Sequence, residues 1–509
     1  MTISIDGHHL TIEQVKMVAR DHVRVVLSDE AKERILRAEE MVKQFVDNEV
    51  VSYGITTGFG KFSDTYISKE DTGLLQRNLI MSHACGVGDI LEEEVVRAIM
   101  LLRLNSLAQG YSGIRLSTYE TLLEMLNRDV YPVVYEKGSL GASGDLCPLA
   151  HLALVLIGEG EAFIEGRRVS GKEAMEYAGL EPVSLVAKEG LALINGTQAM
   201  CAVGCLTVYD ALQLSKCADM ALSMSMEALW GIIDAFDLRL HLVRPHNGQI
   251  HTAENVLALL EGSENTTRQG QVRVQDAYSL RCTPQVHGAC KDAIAHVKDK
   301  LEIEINSVTD NPILFVEDGD AISGGNFHGE SVALAFDYLS IALSELANIS
   351  ERRLEKMVNP AINHGLPAFL TKNGGLHSGF MIVQYSAAAL VSENKVLAHP
   401  SSVDSIPSSA NQEDHVSMGT IGAMKARKIL RNTQNVIAME LLAACQGIDV
   451  VEHGALGHGT QCVYDCVRSV VDYLDQDVVM YPNMHKVNAL LTSNVLVNKV
   501  CEHVYLQEV

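Results

Sequence analysis

Apolar residues recur at helical spacing through most of this chain. Residues 29–47, DEAKERILRAEEMVKQFVD, set Ile35, Leu36, Met41, Val42 and Phe45 on one stripe, and Ser28 precedes them as an N-cap. Residues 92–108 and 118–127 repeat the pattern on either side of a turn at Gly110, Ser112 and Gly113. From about Ser331 onward helices dominate, over 331–357, 379–397, 416–447 and 460–476, several of them longer than a usual globular helix. The one clear β element is a hairpin over 162–169, turning at Glu165 and Gly166. The pattern predicts a mainly α fold: a long-helix bundle over 226–509 behind a smaller N-terminal lobe over 1–225.

Five glycine-rich segments interrupt this pattern: YGITTGFG (53–60), SHACGVG (82–88), LGASGDL (140–146), INGTQ (194–198) and SGGNFHG (323–329). Glycine is entropically expensive, so its repeated use between apolar helices marks backbone that approaches something closely. Together with the polar run NQEDH (411–415), these segments are expected to converge on one pocket.

Composition narrows the function. A 47 % hydrophobic content supplies a large core, and only 11 prolines and 5 % aromatics suit uninterrupted helices. A formal charge of −24 with no basic stripe argues against a nucleic-acid partner. The 11 cysteines are scattered, and Cys201/Cys205 and Cys462/Cys466 are each one residue too far apart for a CxxC pair, so all are read as reduced thiols. The N-terminus carries neither a basic stretch nor an apolar run, and the longest uncharged run, 190–209, has Asn195, Gly196, Thr197 and Gln198 at its heart. The expectation is a soluble cytoplasmic protein with no membrane span. No metal is expected: HExxH is absent, and His453 and His458 are five apart, off one helical face. GSLGASGD lacks the Lys-Ser/Thr ending of a phosphate-binding loop.

Ala142-Ser143-Gly144 alone is no more than a tight turn. The wider string GSLGASGDLCPLAH (138–151), however, closely resembles the signature of the aromatic amino acid ammonia-lyases. The resemblance runs through nearly the whole chain and implies a fumarase/aspartase-like bundle. It also implies a methylidene-imidazolone (MIO) electrophile that forms from Ala142, Ser143 and Gly144 without external cofactor. In that family the Gly nitrogen attacks the Ala carbonyl, two waters leave, and the Ser becomes a dehydroalanine. Small residues at 142 and 144 allow the compression this needs, and Ser143 carries the hydroxyl that is lost. Asp145 either assists proton transfer or caps the helix that follows. By the same resemblance Tyr53 is the catalytic base, Asn195 holds the ring-forming segment and substrate, Tyr278 supports elimination and Gln275 lies beside it. Arg281 grips the substrate carboxylate, a task that suits a bidentate guanidinium.

Substrate choice rests on Ser82-His83 and on Glu413. Family members acting on phenylalanine or tyrosine carry Phe-Leu or His-Leu in place of the first pair, and NQD in place of Asn411-Gln-Glu-Asp414; the pattern here resembles the members acting on histidine. An imidazole has one donor and one acceptor, which His83 and Glu413 satisfy, with Phe327 stacking near the ring. A phenyl ring would leave Glu413 desolvated and unpaired. Thr56, where Asn is common, and Cys147, where Ala is frequent, depart from the pattern. The resemblance thus implies conversion of L-histidine to trans-urocanate and ammonia, the first step of histidine degradation, in a homotetramer whose active sites combine residues from three subunits. The alternatives are an aromatic amino acid ammonia-lyase or a 2,3-aminomutase using the same electrophile and, well behind them, a non-catalytic helical scaffold. Amine or ring attack, and Tyr53 or Glu413 as the base, stay open.

Overall fold

The computed structural model describes residues 2–58, 60 and 67–508; Phe59 of the first glycine-rich segment lies outside them. The chain divides into two compact units. The first contains residues 1–206, 298–337 and 400–424, and the second 207–297, 338–399 and 425–509. A single cut at 225/226 does not describe this division, because two later stretches return to the N-terminal unit. Those two stretches carry SGGNFHG and NQEDH.

Local rules account for the helices. Asp29–Asp47 starts where expected: Ser28 Oγ accepts from the Ala31 amide at 3.2 Å, and Asp29 and Glu30 sit in the first turn, near the positive end of the helix dipole. Ile35, Met41 and Val42 are buried. Leu36 is 44 % exposed, a correction to the expected stripe, since it is turned about 100° from Ile35 around the helix. Glu93–Leu107 and Leu116–Asn127 match the next two expected helices, and Glu330–Val358, Met381–Leu397 and Gly419–Val450 match three of the later four. The fourth, His458–Arg468, stops early. Arg468 turns back to donate to the carbonyls of Val471 and Asp472 at 3.1 and 3.3 Å, satisfying backbone that has left the helix.

Two long helices, Gln198–Ala228 and Thr283–Glu304, had no periodic signal. The first is buried on nearly every face, so polar positions do not recur along it. The hairpin forms as Glu161–Ile164 and Arg167–Ser170, with Ala162 opposite Val169 and left-handed residues at Glu165 and Gly166. It is not the sole β element: Thr2–Ile5 pairs in parallel with Arg24–Leu27, Val87–Ile90 pairs with Tyr135–Lys137, and Ile313–Phe315 pairs with Asp320–Ile322. Strands of three or four residues are too short to show alternation.

Two charged clusters are buried in the second unit. Asp219 accepts from Lys291 at 2.5 Å and Asn255 at 2.9 Å and is hydrogen-bonded to His287 at 2.8 Å, while Glu440 pairs with Arg353 and accepts from Ser225 and Ser350. Each is costly to bury alone and acceptable when fully partnered. One described helix, Glu330–Val358, is long and apolar enough to cross a membrane, but 72 % of that apolar window is buried within the protein. Every cysteine is a free thiol.

Candidate active site

All six segments singled out in the sequence meet in the first unit. They line one cavity of ≈ 860 Å³, to which they contribute Tyr53, His83, Ser143, Asn195, Phe327 and Glu413 among others. A smaller cavity of ≈ 230 Å³ lies along the rest of the 138–147 loop and shares Ser143, His83 and Glu413 with it.

The loop is held on every side. Gly144 has φ +72° and pairs with Gly196; a Cβ at Gly144 would lie 2.2 Å from the Gly196 carbonyl oxygen, so no other residue fits. Gly141, at φ +70°, faces Ser417, whose Oγ donates to the Gly141 carbonyl at 3.2 Å. The Met418 amide donates to the Leu140 carbonyl at 3.0 Å, and the Asp145 amide to the Gly196 carbonyl at 2.7 Å. Asn195 Nδ2 donates to the Ser143 carbonyl at 3.1 Å. Buried Arg103 in turn donates to the Asn195 carbonyl at 2.7 Å; burial pushes the Arg103 guanidinium down to about 10, which still leaves it a cation at neutral pH.

Asp145 stands at the N-cap of helix Leu146–Leu156, yet its side chain makes no capping bond. Its carboxyl turns inward instead. It is fully buried and accepts from Thr420 Oγ1 at 2.5 Å, Met200 N at 2.8 Å and Ser139 Oγ at 3.1 Å. Burial raises it above the usual carboxylate range against the pull of these donors. A buried carboxyl so placed beside Gly144 is suited to carry protons.

Ser143 Oγ donates to Glu413 Oε1 at 3.0 Å, and Ser408 Oγ donates to Glu413 Oε2 at 3.0 Å. The turn before Glu413 places Ser409, Ala410 and Asn411 consecutively at positive φ, a strain of about 1–3 kcal/mol each that tertiary structure must hold. His83 is hydrogen-bonded to Ser82 Oγ through Nδ1 at 3.0 Å, and burial lowers its pKa although Glu413 pulls it upward. The Gly60 amide donates to Tyr53 Oη at 3.2 Å, leaving the phenol proton free to point elsewhere.

Three expected site residues are not brought to this cavity by the chain. Gln275, Tyr278 and Arg281 belong to the second unit, where Gln275 and Tyr278 are exposed. Arg281 lies 4.6 Å over the Tyr278 ring and donates to the Asp276 carbonyl at 2.9 Å. Among its described lining, the cavity has no Lys or Arg. Of the two departures, Thr56 bridges Val50 and Ser52 within its own turn, whereas Cys147 lines the smaller cavity against Gly138. The clamping residues Ser139, Ser417, Thr420 and Arg103 carried no sequence signal, since hydroxyls and a helix arginine are commonplace.

His151 anchors the His83 segment by accepting from the Gly86 amide through Nε2 at 2.9 Å, which requires the neutral ring. Burial lowers its pKa below the usual 6.5. The unfolded chain therefore binds this proton first, so its contribution to stability is full above 6.5 and falls as pH drops from there towards the folded value. His151→Gln, which keeps an acceptor, is expected to flatten the loss of urea midpoint between pH 7 and pH 5; an unchanged slope would assign the effect to other groups.

The fold and this loop define a class of enzyme. The aromatic amino acid lyase family model matches residues 10–469, and the chain belongs to that family. More particularly, it is 62 % identical to histidine ammonia-lyase of Alkaliphilus oremlandii over 505 residues, covering 99 % of each chain. Among solved structures, histidine ammonia-lyase of Trypanosoma cruzi has a TM-score of 0.93 at 43 % identity, covering 99 % of this chain and 96 % of that one. Tyrosine aminomutase of Streptomyces globisporus has a TM-score of 0.96 at 37 % identity, covering 100 % of both.

Proposed function

We propose that this chain is a histidine ammonia-lyase of the cytoplasm, converting L-histidine to trans-urocanate and ammonia. The observation that carries this reading is Glu413, bonded to Ser143 and facing the same cavity as His83. A carboxylate and a neutral imidazole together complement the donor and acceptor of a substrate imidazole, and both would be left unpaired by a phenyl ring.

The residues around 142–144 fit the MIO group that the family uses. Gly144 is compressed against Gly196, Asn195 fixes the intervening carbonyl, and Asp145 supplies a buried proton carrier. Once formed, that group supplies an electrophile stronger than any encoded side chain. The other residues bind and move protons. Asn195 Oδ1 is buried with no partner among the described residues, so it is free to accept from the substrate ammonium. Phe327 offers a ring face to the imidazole. Tyr53, whose oxygen accepts from Gly60, is the base for the β-proton as its phenolate. Glu413 keeps Ser408 on one oxygen, is freed of the Ser143 hydroxyl when that group is lost, and so receives the substrate imidazole.

A substrate carboxylate needs a cation, and the cavity's described lining supplies none. The reading therefore places Arg281, with Gln275 and Tyr278, at the cavity of a neighbouring copy in a homotetramer. Mixing separately inactive Ser143→Ala and Arg281→Ala proteins under exchange conditions is then expected to restore part of the activity.

The test of function offers the purified protein L-histidine, L-phenylalanine and L-tyrosine separately, without added cofactor, while following ammonia and ultraviolet absorbance. Ammonia and urocanate from histidine alone are expected. Activity on the other two would overturn the substrate assignment, and β-histidine without ammonia would make the protein an aminomutase.

A further inference from the structure

Beside the cavity, three side chains that the reaction does not use stand together. His328, Glu330 and His415 bring two imidazole nitrogens and a carboxylate oxygen within 4.8 Å of one another. The two rings lie 5.7 Å apart, inclined by 29°. Glu330 Oε2 is buried and has no hydrogen-bond partner among the described residues, a costly state for a carboxylate oxygen unless a cation or donor meets it.

The backbone that presents these groups is anchored. Gly329, between His328 and Glu330, is packed so closely that a Cβ there would lie 2.7 Å from Met200 Sδ and 3.1 Å from Ser417 Oγ. The His328 amide closes a turn onto the Gly325 carbonyl at 2.9 Å, and Glu330 opens the helix Glu330–Val358. His415 is followed by Val416 and Ser417, both fully buried. Two fixed segments, 85 residues apart at their nearest ligands, thus aim three donors at one point. No local motif spans that separation, which is why spacing in the sequence revealed no metal site.

We propose that His328, Glu330 and His415 bind a divalent transition-series cation of the zinc type. Two imidazoles and one carboxylate are a borderline-soft donor set that suits Zn²⁺ over Mg²⁺ or Ca²⁺ and leaves a fourth position for water. Ligand atoms sharing a tetrahedral zinc at bonds of ~2.0–2.1 Å stand about 3.4 Å apart, so donors already within 4.8 Å of one another have only a short distance to close. His328 follows Phe327 directly, and His415 lies two residues beyond Glu413. A cation here ties together the two segments that present the aromatic face and the carboxylate to the substrate cavity. Its effect falls on substrate affinity and on thermal stability, and the electrophile does not depend on it.

The test titrates the full-length protein, stripped with a chelator and dialysed, with Co²⁺ and then Zn²⁺. One ion per chain is expected, with a tetrahedral-type visible spectrum for Co²⁺ that Zn²⁺ displaces, and a rise of a few degrees in melting temperature as the ion saturates the folded state. His415→Gln changes an exposed side chain and leaves the fold intact; it is expected to weaken Co²⁺ binding by about 10–100-fold, as Glu330→Gln is. Binding left unchanged by both variants would place the ion on other histidines and overturn the proposal. So would the absence of saturable binding below about 1 mM, a dissociation constant worth only about 4 kcal/mol. Because the readouts are spectral and thermal, they stand or fall separately from the ammonia assay.

Discussion

Ser143→Ala is expected to lower histidine turnover by about 10³-fold or more, while the melting temperature and helical signal stay close to those of the parent. The expected loss follows from the size of the barrier. Enzymes lower barriers by about 8–23 kcal/mol, and here no encoded side chain replaces the electrophile. The matured parent has already lost the Ser143 hydroxyl and its 3.0 Å hydrogen bond to Glu413, so the variant differs by the ring alone at a half-buried position, and the fold changes by about 1 kcal/mol or less. Intact mass gives an independent reading. The parent is expected to be lighter than its sequence by two waters, and the variant is not. A variant retaining more than about a tenth of the parental rate would refute the site.

Glu413→Gln carries the second large effect, and its form distinguishes two roles. If Glu413 only receives the substrate imidazole, losing a charge-assisted hydrogen bond costs about 1.5–3 kcal/mol, or roughly 10–150-fold in kcat/KM, with KM taking much of the change. If it also removes the β-proton, kcat itself falls by about 10²–10⁴. The first outcome is expected, because Ser408 holds one Glu413 oxygen and loss of the Ser143 hydroxyl frees the other to accept from the substrate imidazole, while Tyr53 Oη, held by the Gly60 amide, takes the β-proton as its phenolate. Tyr53→Phe in parallel is then expected to reduce kcat. Phenylalanine is expected to become a relatively better substrate of Glu413→Gln, since the desolvated charge that rejects it is gone. Unchanged histidine kinetics in this variant would sink the substrate argument.

Much of this site was legible because glycine is informative where it is costly. Six segments from opposite ends of the chain, chosen for glycine content and polarity, all line one cavity. Ser28 and the apolar spacing after it set the Asp29–Asp47 helix to the residue. Gln198–Ala228 escaped because a helix buried all round has no polar face to mark its period. Asp145 was ambiguous for another reason: position alone makes it a helix cap, and its bonds to Met200, 55 residues later, and Thr420, 275 residues later, show that the carboxyl points inward. The return of 298–337 and 400–424 to the first unit was equally hidden, since no local pattern reports which distant segment a loop will meet.

That distance has a temporal meaning. The loop at 138–147 is not completed by its neighbours in sequence; Gly196, Ser417 and Thr420 finish it. On a ribosome making about 5–20 residues per second, the 275 residues between Asp145 and Thr420 take roughly 14–55 s. For that interval the nascent loop lacks its last supports, and whatever chemistry it undergoes waits until most of the chain has been made. A two-water mass loss in a newly made chain would therefore report that Gly196, Ser417 and Thr420 have already been brought to the loop.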